Sequence, residues 1–217
     1  MFNRNLIAGL ILAATTVGAQ AAGVIVDRAN VPANAIVIDF ENYDGLVVNA
    51  GESLAVGGVT FTPGEQLTVG QGIADLGENG IWGAGNKFVS FDNIGNMTLD
   101  ISFNGHSTMG VAFDYSVWET DLDGSAFLTA RYFDLGNNLI KTTKFIFSPF
   151  GAETYNQFQS FGYVSDSANI ARVTLSGDGV VFDNLTYTQP VPEPHSIAML
   201  LAGLGLVGAV TRRRQRV

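Results

Sequence analysis

Alternation of apolar and polar residues, repeated along most of the chain, constrains this sequence more than any other feature. Leu99, Ile101 and Phe103 alternate with Thr98, Asp100 and Ser102. Val111, Phe113, Tyr115 and Val117 follow, with Asp114 and Ser116 between them. A period of two is that of a strand that buries one face. Residues 35–40, 58–62, 87–91, 126–133, 140–147, 158–165, 170–175 and 180–187 are further runs rich in β-branched and aromatic side chains. Turn chemistry separates them: Asp44-Gly45, Asn79-Gly80, Asn104-Gly105, Asp123-Gly124, Gly136-Asn137-Asn138 and Gly177-Asp178-Gly179. About ten short strands at such spacing predict an all-β fold, a two-sheet antiparallel β-sandwich of jelly-roll type. No sustained 3.6-residue apolar period and no solenoid repeat interrupts the pattern. The glycine-rich stretch 70–85 reads as a long loop, the kind that tends to be functional.

Composition narrows the function classes. The 217 residues carry 20 Asp and Glu against 11 Lys and Arg, a net charge of −9, and no Cys. An acidic chain is a poor partner for nucleic acid, which needs a basic face. The absence of Cys removes disulfides, thiol nucleophiles, Fe–S clusters and Cys-type zinc sites. With 47% apolar and only 14% charged residues, the chain does not have the composition of a disordered protein.

The bases concentrate at the two ends. Residues 1–21 hold Arg4 and no acid, an apolar run over 6–17, then Ala19-Gln20-Ala21. A basic start, an apolar stretch of about a dozen residues and a small-x-small site form a secretory signal peptide, with a signal helix and cleavage by signal peptidase after Ala21. The alternative is a buried N-terminal helix. At the other end stand Pro192-Glu193-Pro194, an apolar, small-residue run over 197–210, and Arg212-Arg213-Arg214. The prolines make a stiff joint that neither strand nor helix can continue. The apolar run predicts a hydrophobic helix of about 21 Å, short for permanent residence in a bilayer and suited to a transient transmembrane helix. The Arg cluster predicts that the C-terminus stays cytoplasmic at the inner membrane.

This order resembles the PEP-CTERM sorting signal of exported bacterial proteins. The resemblance covers about the last 26 residues and rests on Pro192-Glu193-Pro194, the apolar span and Arg212-Arg213-Arg214. It implies passage through the export machinery, processing by an exosortase, and a cell-surface or extracellular destination associated with exopolysaccharide matrix. The alternative is a Pro-rich linker before an ordinary tail anchor. Three parts follow: a signal peptide at 1–21, a β-sandwich domain at 22–189 and a sorting signal at 190–217. The central domain keeps six Lys and Arg against nineteen Asp and Glu, a net of −13.

The central domain also resembles jelly-roll domains of the carbohydrate-binding-module type. The matching pieces are Asp39-Phe40-Glu41, Gly58-Val59-Thr60-Phe61 and Asp183-Asn184-Leu185. The resemblance implies that the first and last strands lie side by side, with a structural calcium ion between them. Asp39 and Glu41 would share a strand face, and Asp183 and Asn184 would complete an oxygen-rich set of the kind calcium needs. The alternative is that these acids are solvent-facing residues of edge strands.

Two tryptophans are candidates for sugar contact. Trp82 lies in the glycine-rich loop, and Trp118 falls on the polar face of its strand with Asp114 and Ser116. A ring exposed beside carboxylates and amides can stack on sugar C–H faces while its neighbours bond the hydroxyls. Tyr43, Asn79 and Asn86 could share such a site, and the alternative is that both rings are core or loop anchors. Residues 119–124 imitate an EF-hand start, but Ala130 stands where the twelfth-position Glu is required. Catalysis finds little support. His106 sits in an expected turn, no nucleophile elbow is present, and no phosphate loop or dinucleotide fingerprint occurs. The expectation is a non-enzymatic exported protein. A calcium-stabilised carbohydrate-binding module is the first alternative, and a polysaccharide hydrolase or lyase the second.

Overall fold

The computed structural model describes residues 23–31, 34–83, 85–91, 96–118, 126–147, 149–189 and 204. The expected signal peptide, with Ala19 and Ala21, and the sorting signal apart from Leu204, with its prolines and arginines, lie outside the described residues, as does the acidic turn at 119–125. Among the described residues no helix is long and apolar enough to cross a membrane.

Sixteen strands are described. In chain order they are β1 (Val24–Val26), β2 (Ala35–Ile38), β3 (Leu46–Val48), β4 (Leu54–Val56), β5 (Val59–Pro63), β6 (Leu67–Gln71), β7 (Ala74–Asp75) and β8 (Ile81–Trp82). Then come β9 (Phe88–Phe91), β10 (Asn96–Ser102), β11 (Gly110–Ser116), β12 (Ala126–Phe133), β13 (Leu139–Phe147), β14 (Gln159–Val164), β15 (Arg172–Asp178) and β16 (Val181–Thr188). Short 3-10 turns occupy Arg28–Asn30 and Gly77–Asn79. The first sheet runs β1-β14-β11-β16-β9-β6-β3, with β2 also on β16; the second runs β13-β12-β15-β10-β5-β4. Their strands pair antiparallel, and the two sheets pack as the expected sandwich.

The alternation explains the core. Leu99, Ile101 and Phe103 from the second sheet, and Val111, Phe113 and Tyr115 from the first, are buried in one apolar cluster. Its centre is aromatic: Phe40, Phe61, Phe113 and Phe182 meet at centroid distances of 5.6–6.3 Å, mostly edge to face, the geometry that ring quadrupoles favour.

The other face of the first sheet departs from expectation. The alternation on β11 predicts a solvated polar face, yet Asp114 and Ser116 are buried. The cause is a second layer of chain. The glycine-rich stretch is not an open loop: it folds into the β7–β8 hairpin, with Ala74 opposite Trp82. It is stitched to residues 151–156 by backbone bonds from Ile81 N–H to Thr154 O (2.8 Å) and Asn156 N–H to Ile81 O (2.8 Å). Gly80 sits at φ +88° with Thr154 against it, so a side chain would both strain the backbone and collide. Beneath this layer Leu76, Trp82, Phe88 and Val181 form a small apolar cluster of their own.

Strand β16 organises the first sheet. Along one side it pairs with β11. Along the other it pairs first with β9, at Val181 and Phe182, and then with β2, from Leu185 to Thr188. Strand β2, which carries the Val37-Ile38 start of the expected first strand, therefore lies beside the last strand, while β1 precedes it and pairs with β14. Between the two partners the register slips: Ala112 faces Thr186 but Asp114 faces Asp183. Two residues of β16, Asn184 and Leu185, thus oppose the single Phe113. Asn184 takes φ +51°, a left-handed conformation that Asn tolerates better than most residues.

Candidate functional site

The bulge places the site. A bulge breaks the in–out alternation and re-aims side chains, so consecutive Asp183 and Asn184 reach the same polar cluster instead of opposite faces. Asp114 of β11 lies across the ladder from Asp183, and the Asn184 side chain sits between the two carboxylates. Its Nδ2 donates to Asp114 Oδ2 at 2.9 Å and to Asp183 Oδ2 at 3.3 Å. The Asn184 backbone N–H donates to Asp183 Oδ1 at 2.6 Å, and Asn86 Nδ2 donates to Asp183 Oδ2 at 3.2 Å. Asp114 has a cationic partner: Arg28 Nε lies 3.0 Å from both of its carboxylate oxygens. Arg28 comes from the N-terminal 3-10 turn, which is itself tied to β14 by the Arg28 N–H to Ser160 Oγ bond (2.9 Å).

The two acids are sealed, at 1% and 3% exposure, and their environments differ. Asp183 is pushed up to about 7. Burial is the main cause; hydrogen bonds from the Asn184 backbone and Asn86 oppose it, and the negative charges of Asp114 and Glu41 add to it. Near neutral pH this carboxyl is therefore divided between its acid and its anion.

A cleft of about 90 Å³ opens over this cluster. Asp114, Asp183, Asn184 and Asn86 line one part of it, and Trp82, Asn156 and Phe158 the other. Trp82 is 1% exposed, edge-to-face with Phe88 and Phe158, and its indole N–H donates to Gln157 O at 2.7 Å. It anchors the outer layer and does not present an open stacking face, because the hairpin and the 149–158 segment close over it. Phe158 is the accessible ring, 47% exposed. Asn156, also in a left-handed conformation, accepts a bond from Gly83 N–H on Oδ1 at 2.7 Å.

The structure thus brings together Asp183, Asn184, Trp82 and Asn86 from the sequence candidates. The others fall elsewhere. Strand β2 stops at Ile38 because Phe40 turns to φ +56°, so Asp39 and Glu41 do not share a strand face. Asp39 is exposed, and its carboxylate caps Glu41 N–H at 3.4 Å. Glu41 lies near enough for its charge to act on Asp183, but its carboxylate bonds to Lys87, whose backbone N–H it accepts at 2.9 Å. Trp118 lines a separate cleft of about 220 Å³ with Ile73, Phe91 and Val181. Tyr43 packs against the main core, and Asn79 donates from Nδ2 to Val117 O at 2.7 Å. His106 is exposed in its turn.

The calcium set expected at Asp39, Glu41, Asp183 and Asn184 is not assembled. Among the described residues no three acidic or imidazole side chains converge as metal ligands. Around Asp183 the bonds come from N–H donors, and Arg28 pairs with Asp114. Asp114, Asn156 and Phe158 were not singled out from the sequence. Asp114 reads there as an ordinary outward residue of an alternating strand, and nothing local signals that Arg28, 86 positions earlier, closes on it.

Comparison with known proteins finds the PEP-CTERM protein-sorting motif at residues 190–215. This motif implies an exported protein. No curated protein matches the chain in sequence. Among solved structures it is similar to a DUF4465 family protein from Bacteroides caccae, with 12% identity, 71% of this chain and 98% of that chain covered, and a TM-score of 0.40. It is also similar to CBM22-1–GH10 modules of Clostridium thermocellum endo-1,4-β-D-xylanase 10B (12% identity, 72% and 28% covered, TM-score 0.30). A third is the family 11 carbohydrate-binding module of Clostridium thermocellum cellulase Lic26A-Cel5E (10% identity, 74% and 98% covered, TM-score 0.23).

Proposed function

We propose that this chain is an exported, non-enzymatic β-sandwich protein that its C-terminal signal holds at the inner membrane until an exosortase acts on it. It then joins the cell surface or an exopolysaccharide matrix. The observation that carries this reading is the sorting motif at residues 190–215, joined to a sandwich whose last strand ends at Thr188. The sorting elements therefore follow the folded domain directly in sequence.

Support for a binding role over a catalytic one comes from the acids of the cleft. A glycosidase needs two carboxyl groups free to flank a scissile bond, whereas here Arg28 holds Asp114 and both acids are buried. Turnover of matrix polymer by the purified protein is the check, and none is expected.

The sorting half is tested by replacing Pro192-Glu193-Pro194 with alanines. Export is expected to proceed and a membrane-bound, unprocessed form to accumulate, read by fractionation and gel mobility. A variant that sorts and migrates like the original protein contradicts the proposal.

A further inference from the structure

The chain enters and leaves the sandwich at one end. Val24 pairs with Val164, Val164 with Gly110, and Gly110 N–H donates to Thr188 Oγ1 at 3.2 Å. Val24 and Thr188 thus stand on one row of the first sheet, three strands apart, a span of about 14 Å. The turn of the β12–β13 hairpin belongs to the same end. Thr108 Oγ1 donates to Thr188 O at 2.7 Å, Thr108 N–H to Ile170 O at 2.8 Å, and Ala171 N–H to Phe133 O at 2.8 Å. These bonds carry the row from the last strand across to the turn at 134–138. Asn104 Nδ2, donating to Gly58 O at 3.0 Å, ties in the turn between β4 and β5.

The hairpin differs in chemistry from the rest of the domain. Residues 126–147 hold Arg131, Lys141 and Lys144 against Asp134 alone, a net of +2 inside a domain of −13. Arg172 stands beside them on β15, its guanidinium 4.2 Å over the Phe133 ring and bonded to Asp100 (2.8 Å) and to Asn137 of the turn (2.6 Å). Four of the domain's six bases therefore gather on β12, β13 and β15, while Arg28 and Lys87 are in ion pairs elsewhere. At the tip Leu135 and Leu139 are 42% and 55% exposed. Lys141 pairs with Tyr132, and Arg131 with Thr142, one and two residues behind the Phe133–Leu139 pair that bounds the turn, and both bases are exposed. Acids are sparse at this end: residues 57–58, 103–109, 134–138 and 165–171 contain only Asp134 and Asp166. An apolar tip with a basic collar is the pattern of a segment that enters the headgroup region of an anionic bilayer, apolar groups toward the acyl chains and bases at the phosphates.

On the sorting reading above, a bilayer lies within reach of this end. The expected apolar run begins at Ile197, nine residues beyond Thr188, a distance of about 30 Å at full extension. Strand β16, with 8 residues, is itself about 26 Å long, so a linker turned back to bring the far end of the sandwich to the membrane would be used up along the domain. We propose that the tip of the β12–β13 hairpin is a membrane contact, with Leu135 and Leu139 entering the interface of an anionic bilayer and Arg131 and Lys141 meeting lipid phosphates. The proposal rests on the reading that the C-terminal signal holds the chain at the inner membrane. It orients the domain there, with the hairpin end on the lipid and the Trp118 cleft, at the other end of β11, facing away.

The test uses the full chain, which has no Cys, so that Leu135→Cys is a unique site for an environment-sensitive fluorophore. Vesicles are made of phosphatidylcholine alone or mixed with phosphatidylglycerol. In the mixed vesicles the label is expected to shift to the blue and to be quenched by a nitroxide carried on the lipid. The same label on Glu65→Cys, exposed between β5 and β6 at the opposite end, is expected to stay in water. Arg131→Glu with Lys141→Glu is expected to weaken the contact about tenfold or more with little change in Tm, because both side chains are exposed. A label at position 135 that stays in water, an equal response in neutral vesicles, indifference to the two charge reversals, or an emission shift produced by a soluble oligogalacturonate without vesicles overturns the contact. Flotation of the unaltered chain with neutral vesicles reads the C-terminal anchor separately. A chain that floats while the label at position 135 stays in water overturns the hairpin contact alone. A chain that does not float overturns the anchor, and the label in mixed vesicles still decides the hairpin.

Discussion

At the scale of single residues, the cluster around Asp183 makes stability depend on pH in an unusual direction. Most acids in folded proteins are held below their ordinary values and stabilise the fold as pH rises; Asp44, beside Lys87, is one. Asp183 is the reverse, raised from 3.8 to about 7. The folded state holds its proton more tightly than the unfolded chain does, so its contribution is full below about pH 4 and is lost as pH climbs through 7. Asp183→Asn resembles the protonated side chain in shape and charge. It is expected to flatten the stability profile between about pH 4 and 7 and to raise stability near pH 8 by about 1–3 kcal/mol, measured by denaturant unfolding across pH. Calcium and chelator are both expected to leave Tm where it is, since donors and a guanidinium occupy the surroundings of the acids; a rise of Tm with calcium would show that another arrangement of these acids exists. Sequence alone selects Asp183 and Asn184 as worth attention but does not foresee the partners they take, Asp114 and Asn86. Their partner Asp114 is an ordinary alternating residue until the N-terminal turn brings Arg28 onto it, and a contact at such separation leaves no local signature.

At the scale of elements, strands read well where alternation is long. The run at 126–133 coincides with β12 (Ala126–Phe133), and the runs near β10, β11, β13 and β16 fall within a few residues of their strands. Strands of two or three residues, such as β3, β4, β7 and β8, are too short to show a period, and glycines mask the hairpin of the outer layer. Burial of the polar face of β11 was illegible for a related reason: alternation tells which residues share a face, not what covers that face. The outer layer is held by few apolar contacts, chiefly Trp82 on Phe88 and Phe158. Trp82→Ala is expected to cost about 3–5 kcal/mol and to expose residues 72–83 to protease before the sandwich itself opens, a local unfolding that limited proteolysis followed by mass spectrometry would detect. Gly80→Ala acts on the same layer from the backbone and is expected to have the same proteolytic signature.

At the scale of the whole molecule, the sorting motif at residues 190–215 was the most legible part and the fold of the central domain the next. Address segments are read by machinery as ordered local patterns, so their signals survive in sequence, whereas a sheet order such as β14-β11-β16-β9 depends on pairings between distant strands. The consequence of that order is temporal. Strand β16 is internal to its sheet, with β11 on one side and β9 and β2 on the other, yet it is the last strand made. A chain ending before Val181 would leave both halves of the sheet with unpaired edges and lacks Phe182 at the aromatic centre, so it is expected to show no cooperative unfolding transition by calorimetry. Synthesis therefore proceeds for some 180 residues before the domain can be finished, because long-range pairing must wait for its last partner. Completion comes with Thr188, only a few residues ahead of Pro192. The strand that closes the sheet is thus the sorting motif's immediate neighbour in sequence, and the domain cannot be complete until the chain has been made almost up to that motif.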